Sequence, residues 1–208
     1  MIEFFFDCSS PWTYLAFHNI QPMAREIDVP VRWRPILVGG VFNSVNPSVY
    51  AQREQPVPAK LDYMYKDIQD WATMAGLKIK MPPSVFPVNS VKVMRACTWL
   101  LEQPQPQAMV PFARAVFESY WGDDQDISRD DVIAAACDRC KLDTATVMQG
   151  IATQPIKDRL KANTEELVRR GGFGSPTLFV GDDMYFGNDR LLLVRAAALR
   201  QKASAPAS

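Results

Sequence analysis

The sequence predicts an α/β fold in which both ends of the chain build one mixed sheet around a long helical insertion. Three observations predict it. Residues 2–36 have the order strand, helix, strand, residues 60–170 repeat the 3.6-residue apolar period of helices, and residues 177–201 return to two strands and a helix. Pieces in this order can form a single sheet with the helices packed against it.

The N-terminal segment contains the clearest element boundaries. Ile2–Phe6 is a short apolar run rich in aromatics, which is typical of a buried strand. Ser10 is a preferred helix N-cap and Pro11 is favoured at the first helical position, so a helix should begin at Pro11. We expect Pro22 to kink this helix. Alternating apolar residues over 29–34 predict a second strand and complete a βαβ unit.

The middle of the chain is expected to be a loop followed by helices. Residues 38–60, rich in Gly, Asn and Pro, predict an extended loop with little regular structure. Ser128 and Asp131 have the spacing of a capping box at the start of one helix. Apolar periodicity places helices at 60–76, 89–101, 110–120, 128–140, 143–151 and 157–170.

The C-terminal segment predicts a hairpin and a last helix. Thr177–Val180 and Met184–Phe186 flank a Gly-Asp-Asp turn. Asn188 and Asp189 offer an N-cap for a helix over 190–201, and the small residues 203–208 are expected to fray.

The element order also predicts the domain organisation. Residues 1–40 and 155–208 would form one domain, and residues 41–154 would form an all-helical domain inserted into it. This is the arrangement of a thioredoxin-like βαβ…ββα domain with a helical insertion.

Composition excludes several classes of function. The 208 residues carry 23 Lys+Arg and 23 Asp+Glu, a formal net charge of zero, which provides no long-range field for nucleic acid or an anionic membrane. Neither a membrane span nor a secretory leader is recognisable, which predicts a cytoplasmic protein. His18 is the single histidine, so a multi-histidine metal site is excluded and no metal is expected. A satisfied helix histidine is the favoured interpretation of His18, and a catalytic dyad is the alternative.

Cys137 and Cys140 have the C-x-x-C spacing of a redox dithiol or half a zinc site. A redox pair belongs at a helix N-terminus, where free N–H groups stabilise a thiolate. This pair lies at the other end of its predicted helix and shares a face with apolar residues, so burial as small apolar side chains is favoured. Dithiol redox chemistry is the alternative.

Ser10 is the strongest candidate for chemistry. It follows a buried strand and precedes a helix, at the sheet edge where open α/β folds place ligands and where helix N–H groups stabilise an anion. No Ser-His-Asp pattern or G-x-S-x-G motif is present, so we interpret Ser10 as a hydrogen-bond donor to a ligand anion rather than as a nucleophile. Helix capping alone is the alternative.

Two C-terminal positions are further candidates. If the bond before Pro176 is cis, the backbone groups of Ser175 would face outward beside the helix start. The carboxylate of Asp189 could bind a ligand ammonium group, although solvated capping would also explain that residue.

Four ordered motifs resemble a known family. They are FFDCSSPWTYL at 5–15, FPVNS at 86–90, GSPTLF at 174–179 and FGNDRL at 186–191. Together, over about residues 2–200, they resemble the 2-hydroxychromene-2-carboxylate isomerases, which are similar to kappa-class glutathione transferases and to DsbA-like oxidoreductases. The resemblance implies a thioredoxin-like homodimer with glutathione as cofactor.

The resemblance also implies the glutathione site. The segment Ser10-Pro11-Trp12-Thr13 takes the place of the C-P-x-C dithiol, and neither redox cysteine is present. Cys8, two residues earlier, does not restore the dithiol. Ser10 would hydrogen-bond the glutathione sulfur and favour its thiolate.

The remaining implied contacts lie further along the chain. Ser175, before a cis-Pro176, would pair main chain to main chain with the cysteinyl unit of glutathione. Asn188 and Asp189 would hold its γ-glutamyl end. Asn46 and Lys60 would reach the ligand, and Trp12, Phe86 and Asn89 would wall a pocket for an aromatic carboxylate substrate; for each of these, ordinary packing is the alternative.

The implied reaction is the glutathione-dependent isomerisation of 2-hydroxychromene-2-carboxylate or a related intermediate of aromatic degradation. A thiolate adds reversibly to the conjugated system, a bond rotates, and elimination returns glutathione unchanged. A kappa-like transferase or peroxidase is the second hypothesis, and a thioredoxin-like binding module without catalysis is the third.

Overall fold

The computed structural model describes residues 1–204, and its four strands form one mixed sheet. The strands are β1 (Ile2–Phe6), β2 (Val31–Pro35), β3 (Thr177–Val180) and β4 (Asp183–Phe186). Their spatial order is β2-β1-β3-β4, with β1 parallel to β2 and antiparallel to β3, and with β3 antiparallel to β4. The two ends of the chain therefore build the sheet together, as the sequence predicts.

Strand β1 lies inside the sheet because its side chains are apolar on both faces. Phe4 and Phe6 belong to the main core, whereas Phe5 points to the opposite face and packs in a smaller cluster with Phe179. The Phe5 and Phe179 rings meet edge to face, with centroids 5.6 Å apart. Burying each phenylalanine contributes about 1.5–3 kcal/mol, which favours this strand as the centre of the fold.

Helices occupy most of the remaining chain. Helix α1 (Pro11–Glu26) connects β1 to β2, and α10 (Leu191–Ser204) follows β4. Eight α-helices lie between β2 and β3 in the described chain: α2 (Val38–Val45), α3 (Ser48–Glu54), α4 (Pro58–Ala75), α5 (Val91–Leu101), α6 (Met109–Phe117), α7 (Asp130–Arg139), α8 (Thr144–Ala152) and α9 (Gln154–Arg169). A 3-10 turn over Pro106–Ala108 precedes α6, and a π-helical turn over Glu118–Gly122 follows it. None of the helices within residues 1–204 combines the length and apolar character needed to cross a membrane.

Helix α1 begins where the sequence predicts. Ser10 is its N-cap and Pro11 its first residue, and the helix continues through Pro22 to Glu26. The expected kink at Pro22 stays a prediction. The Phe17 ring packs 4.9 Å from Trp33 of β2, which holds the helix against the sheet beside it.

The extended loop predicted for residues 38–60 is wrong, since this segment contains α2, α3 and the start of α4. Two glycines lower the intrinsic helix propensity of α2, but propensity is a weak determinant when a buried face is available. Val41 packs with Ile36 and Leu167 in the smaller core cluster. Long-range packing therefore makes this segment helical.

Two predicted helix caps are also wrong. Helix α7 begins at Asp130 after Arg129, and the N–H of Ser128 donates to Asp126 Oδ1 at 2.9 Å in a turn before the helix. The carboxylate of Asp131 binds the Arg129 guanidinium instead of completing a capping box.

At the C-terminus, Asp189 lies within a 3-10 turn over Asn188–Arg190 rather than capping α10, which starts at Leu191. Residues 203 and 204 are helical, so the fraying expected there is wrong. The rest of that expected frayed end, residues 205–208, lies outside the described residues.

Candidate active site

Ser10 lies at the junction between β1 and α1. Its Oγ accepts a hydrogen bond from the Thr13 N–H at 3.2 Å and donates one to the main-chain carbonyl of Ser175 at 3.1 Å. Its backbone is extended, with φ −110° and ψ 125°, as is usual for an N-cap. The hydroxyl therefore sits at the positive end of the helix dipole, where an anion is favoured.

Ser175 is the second centre of the site, and the peptide bond between Ser175 and Pro176 is cis. The Ser175 hydroxyl accepts from the Asp7 N–H at 3.0 Å and shares a hydrogen bond with Thr13 Oγ1 at 2.7 Å. The two segments that carry the strongest sequence signals are thus in direct contact, through both the main chain and the side chain of Ser175.

A buried carboxylate holds this junction in place. Asp7 is 1% exposed; its Oδ1 accepts from the N–H and hydroxyl of Ser9, both at 2.9 Å, and its Oδ2 accepts from the Val38 N–H at 2.9 Å and the Ser90 hydroxyl at 3.0 Å. Burial raises the pKa of Asp7, and these hydrogen bonds oppose that rise. Asp7 thereby ties the Ser9–Ser10 turn to the starts of α2 and α5.

The segment 187–190 is joined to the same loop. The Gly187 N–H donates to the Pro176 carbonyl at 3.1 Å, and Gly187 has a φ of +97°, which favours glycine. Asn188 is 3% exposed and its Oδ1 accepts from Asn19 Nδ2 at 3.0 Å. Asp189 is exposed and pairs with Arg190.

The amide nitrogen of Asn188 has no hydrogen-bond partner within residues 1–204, although it is buried. A buried donor left unpaired costs about 1–3 kcal/mol, so such groups usually serve a ligand or an ordered water. This nitrogen is therefore a donor available for a polar ligand beside the Pro176 loop.

Aromatic side chains surround the residues that precede Ser175. Phe173 and Phe186 pack with ring centroids 4.5 Å apart, and the Asn46 side-chain amide donates to the Phe173 carbonyl at 3.2 Å. A Cβ on Gly174 would lie 2.9 Å from the Phe186 ring and 3.9 Å from the Phe42 ring, so glycine is needed for this close approach. Asn46 thus lies beside the Pro176 loop, and the ligand contact that the resemblance implies for it stays a prediction.

The other predicted ligand contacts are more dispersed. Trp12 is half-buried against the main core, and Phe86 is 43% exposed beneath the Arg53 guanidinium. Asn89 Oδ1 accepts from the Val91 N–H at 3.0 Å, at the start of α5. Lys60 is exposed in the first turn of α4, and within the described chain no hydrogen bond or ion pair joins it to Ser10 or Ser175.

Burial shifts the pKa values of Cys137, Cys140 and His18. Cys137 is buried near the end of α7, where burial raises the pKa of its thiol to about 11, and burial also raises the pKa of Cys140. Burial, followed by the Arg114 charge, lowers the pKa of His18. Across residues 1–204 there is no group of three or more His, Cys, Asp or Glu side chains placed to hold a metal ion.

Comparison with known proteins places this geometry in a family. The family model for the DSBA-like thioredoxin domain matches residues 1–198. The chain belongs to the DSBA-like thioredoxin family. The thioredoxin-like α/β fold class predicted from the sequence is therefore confirmed.

Curated relatives of this DSBA-like chain include two kinds of enzyme. The chain is 27% identical over 200 residues to a 2-hydroxychromene-2-carboxylate isomerase of Pseudomonas putida, covering 95% of this chain and 93% of the relative. It is 26% identical over 205 residues to glutathione S-transferase kappa 1 of Rattus norvegicus, covering 93% and 88%. The resemblance given by the four motifs is confirmed.

A solved structure supports the same relationship. The structure of a 2-hydroxychromene-2-carboxylate isomerase matches this DSBA-like fold with a TM-score of 0.79, at 25% identity and over 97% of each chain. Sequence reasoning missed two features of this junction, which are the four hydrogen bonds accepted by the buried Asp7 side chain and the contact of Thr13 with Ser175. An aspartate directly after a buried strand was a signal for Asp7, whereas the Thr13 contact joins segments 162 residues apart.

Proposed function

We propose that this protein is a glutathione-dependent isomerase acting on 2-hydroxychromene-2-carboxylate or a related aromatic carboxylate. The single observation that carries the proposal is the contact between Ser10, at the N-terminus of α1, and Ser175, before the cis proline. This contact lies in a chain that is similar over nearly its whole length to isomerases of that name.

The residues present fit a peptide thiol. Helix N–H groups and a hydroxyl converge at Ser10, a buried amide donor of Asn188 is unpaired within residues 1–204, and Asp189 offers an exposed carboxylate. When bound, glutathione supplies a thiolate that adds reversibly to the conjugated system of the substrate and leaves unchanged after bond rotation. The proposed binding set is Ser10, Pro11, Trp12, Ser175, Pro176, Asn188 and Asp189.

Ser10 would favour the anionic form of the bound thiol. Thiol pKa values fall below their usual 8.5 or so at helix N-termini, and a hydroxyl donor adds to that effect. The Ser10 proton points to the Ser175 carbonyl in this structure, and rotation about the Cβ–Oγ bond redirects it toward an anion. Asp7 would act as a positioning residue, because it fixes the turn that contains Ser10.

The direct test incubates the purified protein with 2-hydroxychromene-2-carboxylate, with and without glutathione, and follows isomerisation by absorbance. We expect a rate that requires glutathione and that saturates with both compounds. Absence of a glutathione-dependent rate would refute the proposal.

A kappa-like glutathione transferase or peroxidase is the second candidate. The observation that favours it is the similarity to glutathione S-transferase kappa 1 over 93% of the chain. Turnover of chlorodinitrobenzene or of a hydroperoxide that exceeds isomerisation, in the same preparation, would select this function instead.

We also propose that the protein works in the cytoplasm. Glutathione keeps cytosolic thiols reduced, and all four cysteines of this chain are free thiols in the structure.

We propose in addition that the protein works as a homodimer, as the family resemblance implies. Light scattering of the purified protein should give twice the mass of the chain; the mass of one chain would contradict the dimer.

A further inference from the structure

Asn188 is a buried amide with one end paired and the other end open. The residue is 3% exposed, and its Oδ1 accepts a hydrogen bond from Asn19 Nδ2 at 3.0 Å. Its own Nδ2 has no hydrogen-bond partner within residues 1–204. Most buried polar groups are paired, because leaving a buried donor unpaired costs free energy. The open nitrogen therefore indicates a partner from outside the described chain.

The residue that pairs with Asn188 belongs to the same helix as Ser10. Asn19 lies on α1, nine residues after Ser10, whereas Asn188 lies in the 3-10 turn before α10. At a rise of 1.5 Å per residue, Asn19 is about 13 Å further along the helix than Ser10. Helix α1 therefore contacts the Ser175 loop through its first turn and the Asn188 turn through a later one.

The contact with Asn19 decides which end of the Asn188 amide stays open. An asparagine amide has an acceptor oxygen and a donor nitrogen, and rotation about the Cβ–Cγ bond exchanges their positions. In the structure, the nitrogen of Asn19 faces the oxygen of Asn188. Exchange at Asn188 would place two donor nitrogens against each other, which is unfavourable. Asn19 thereby holds Asn188 with its donor open.

The next residue supplies a group of the opposite kind. Asp189 is exposed, and its Oδ1 would lie 2.8 Å from a Cβ on Gly187, so the carboxylate folds back along the turn. The Gly187 N–H donates to the Pro176 carbonyl at 3.1 Å, which places this turn beside the Pro176 loop. A neutral donor and an anionic acceptor therefore occupy consecutive positions, and a carboxylate and an ammonium on one ligand carbon would match them.

We propose that Asn19 is a positioning residue that fixes the Asn188 amide as a hydrogen-bond donor, so that this end of the site selects a carboxylate. The inference rests on the proposed function for its ligand, because the carboxylate is that of the γ-glutamyl unit of glutathione. Asn19 acts through Asn188. Without the Asn19 donor, the Asn188 amide is free to rotate and its buried oxygen loses its partner.

The test measures binding without turnover. Calorimetric titration compares glutathione with 4-aminobutyryl-cysteinylglycine, which has the same thiol and amino group but lacks the α-carboxylate. The wild-type protein should bind glutathione at least about tenfold more tightly, because hydrogen bonds to charged groups are the stronger class. Asn19→Leu removes the amide at similar size and should reduce that preference to roughly threefold by weakening glutathione, while the analogue changes little.

Matched variants on the same helix separate this role from general effects. Gln21 donates to the Phe17 carbonyl and accepts from Arg114, so Gln21→Leu removes an amide that does not contact Asn188 and should keep the preference. Asn19→Asp offers only acceptors, which favour the exchanged Asn188 amide. Its preference for glutathione should fall further than in Gln21→Glu, which adds the same charge. Circular dichroism with thermal unfolding establishes that each variant is folded.

The thiol end of the site provides a second readout. Ultraviolet absorbance of the bound thiolate, followed against pH, gives the apparent thiol pKa of bound glutathione. This pKa should be equal in wild type and Asn19→Leu, because Ser10 lies about 13 Å from Asn19 along the helix. A shifted thiol pKa in Asn19→Leu would show a general change of the site and would contradict a positioning role confined to Asn188.

Three binding results would overturn the inference. They are equal wild-type affinity for both ligands, an unchanged preference in folded Asn19→Leu, and tighter wild-type binding of the analogue, which would mean that both amides are rotated. Absence of any glutathione binding would refute the proposed function together with the inference.

Activity distinguishes the inference from the proposed function. A carboxylate preference that depends on Asn19, without glutathione-dependent isomerisation, supports the role of Asn19 and refutes the isomerase. Isomerisation with the same KM for glutathione in wild type and Asn19→Leu supports the isomerase and refutes the role of Asn19.

Discussion

The hydroxyl of Ser10 donates to the main-chain carbonyl of Ser175 at 3.1 Å, across 165 residues of sequence. Thr13 adds a second link, because its hydroxyl hydrogen-bonds that of Ser175 at 2.7 Å. The first turn of α1 therefore contacts Ser175, in the loop before Pro176, through both Ser10 and Thr13. In the segment Ser10-Pro11-Trp12-Thr13 both end positions carry hydroxyls, so sulfur chemistry there requires a thiol from a ligand.

Ser10→Ala tests the donor directly. We expect a fall of about a hundredfold in kcat for glutathione-dependent isomerisation, the scale found when one preorganised donor to a developing anion is removed. Loss of the N-cap should also lower the free energy of unfolding by roughly 1 kcal/mol. Steady-state kinetics and urea unfolding measure the two effects. Ser128→Ala is the control, and an unchanged kcat in Ser10→Ala would contradict the assigned role.

Asp7→Asn tests the buried carboxylate through the pH dependence of stability. Burial raises the pKa of Asp7 in the folded state above its ordinary value near 4, so ionisation disfavours the folded chain. The stability that wild type gains from Asp7 is fully present below pH of about 4 and declines as pH rises through the folded-state pKa. The difference in unfolding free energy, wild type minus Asp7→Asn, should therefore decrease from pH 3 toward pH 7. A difference that is flat or increases with pH would show that the pKa is not raised.

Alkylation tests the cysteine pair. A thiol pKa of about 11 at Cys137 leaves a very small thiolate fraction at neutral pH, and burial restricts access further. Iodoacetamide at pH 7.5 should therefore modify Cys137 at least a hundredfold more slowly in the folded protein than in the same protein in urea. Mass spectrometry of peptides gives both rates. Rapid modification of folded Cys137 would revive the dithiol alternative.

Gly187→Ala tests the link between the Pro176 loop and the Asn188–Asp189 turn. A side chain at a φ of +97° is strained, and its Cβ would lie 2.8 Å from Asp189 Oδ1. We expect a loss of about 1–2 kcal/mol in unfolding free energy and weaker glutathione binding by calorimetry.

Gly39→Ala is the matched control for that substitution. Gly39 lies inside α2 with no atom within 4 Å of an added Cβ, so alanine there should stabilise the protein by roughly 0.5–1 kcal/mol. Equal stability and glutathione affinity in Gly187→Ala and wild type would contradict the proposed contribution of the turn.

Features with short-range causes were predictable from the sequence. Ser10 and Pro11 define the start of α1 because capping and proline preference act within one turn, and both hold in the structure. The strand Thr177–Val180 was predicted with its observed bounds, because its apolar run ends at a glycine-containing turn. The contact between Ser10 and Ser175 was not predicted, because no local pattern specifies a hydrogen bond across 165 residues.

Features with long-range causes were not predictable. Helix α2 has an unfavourable local sequence and forms because Val41 packs with Leu167, far along the chain. The partners of Asp7 are similar, since Val38 and Ser90 lie 31 and 83 residues away. The position of Arg53 has the same kind of cause, since its guanidinium lies over the rings of Phe42 and Phe86 from two other segments.

The pairing of β1 with β3 has a consequence for biosynthesis. A ribosome adds Thr177–Val180 about 170 residues after Ile2–Phe6, so β1 has no β3 to pair with during that part of synthesis. During that interval one edge of an aromatic-rich strand is open to pairing with other chains. Nascent copies of this protein should accordingly depend on early packing of α1 and β2 against β1, and chains that stop before residue 177 should lack β3 and bind to chaperones.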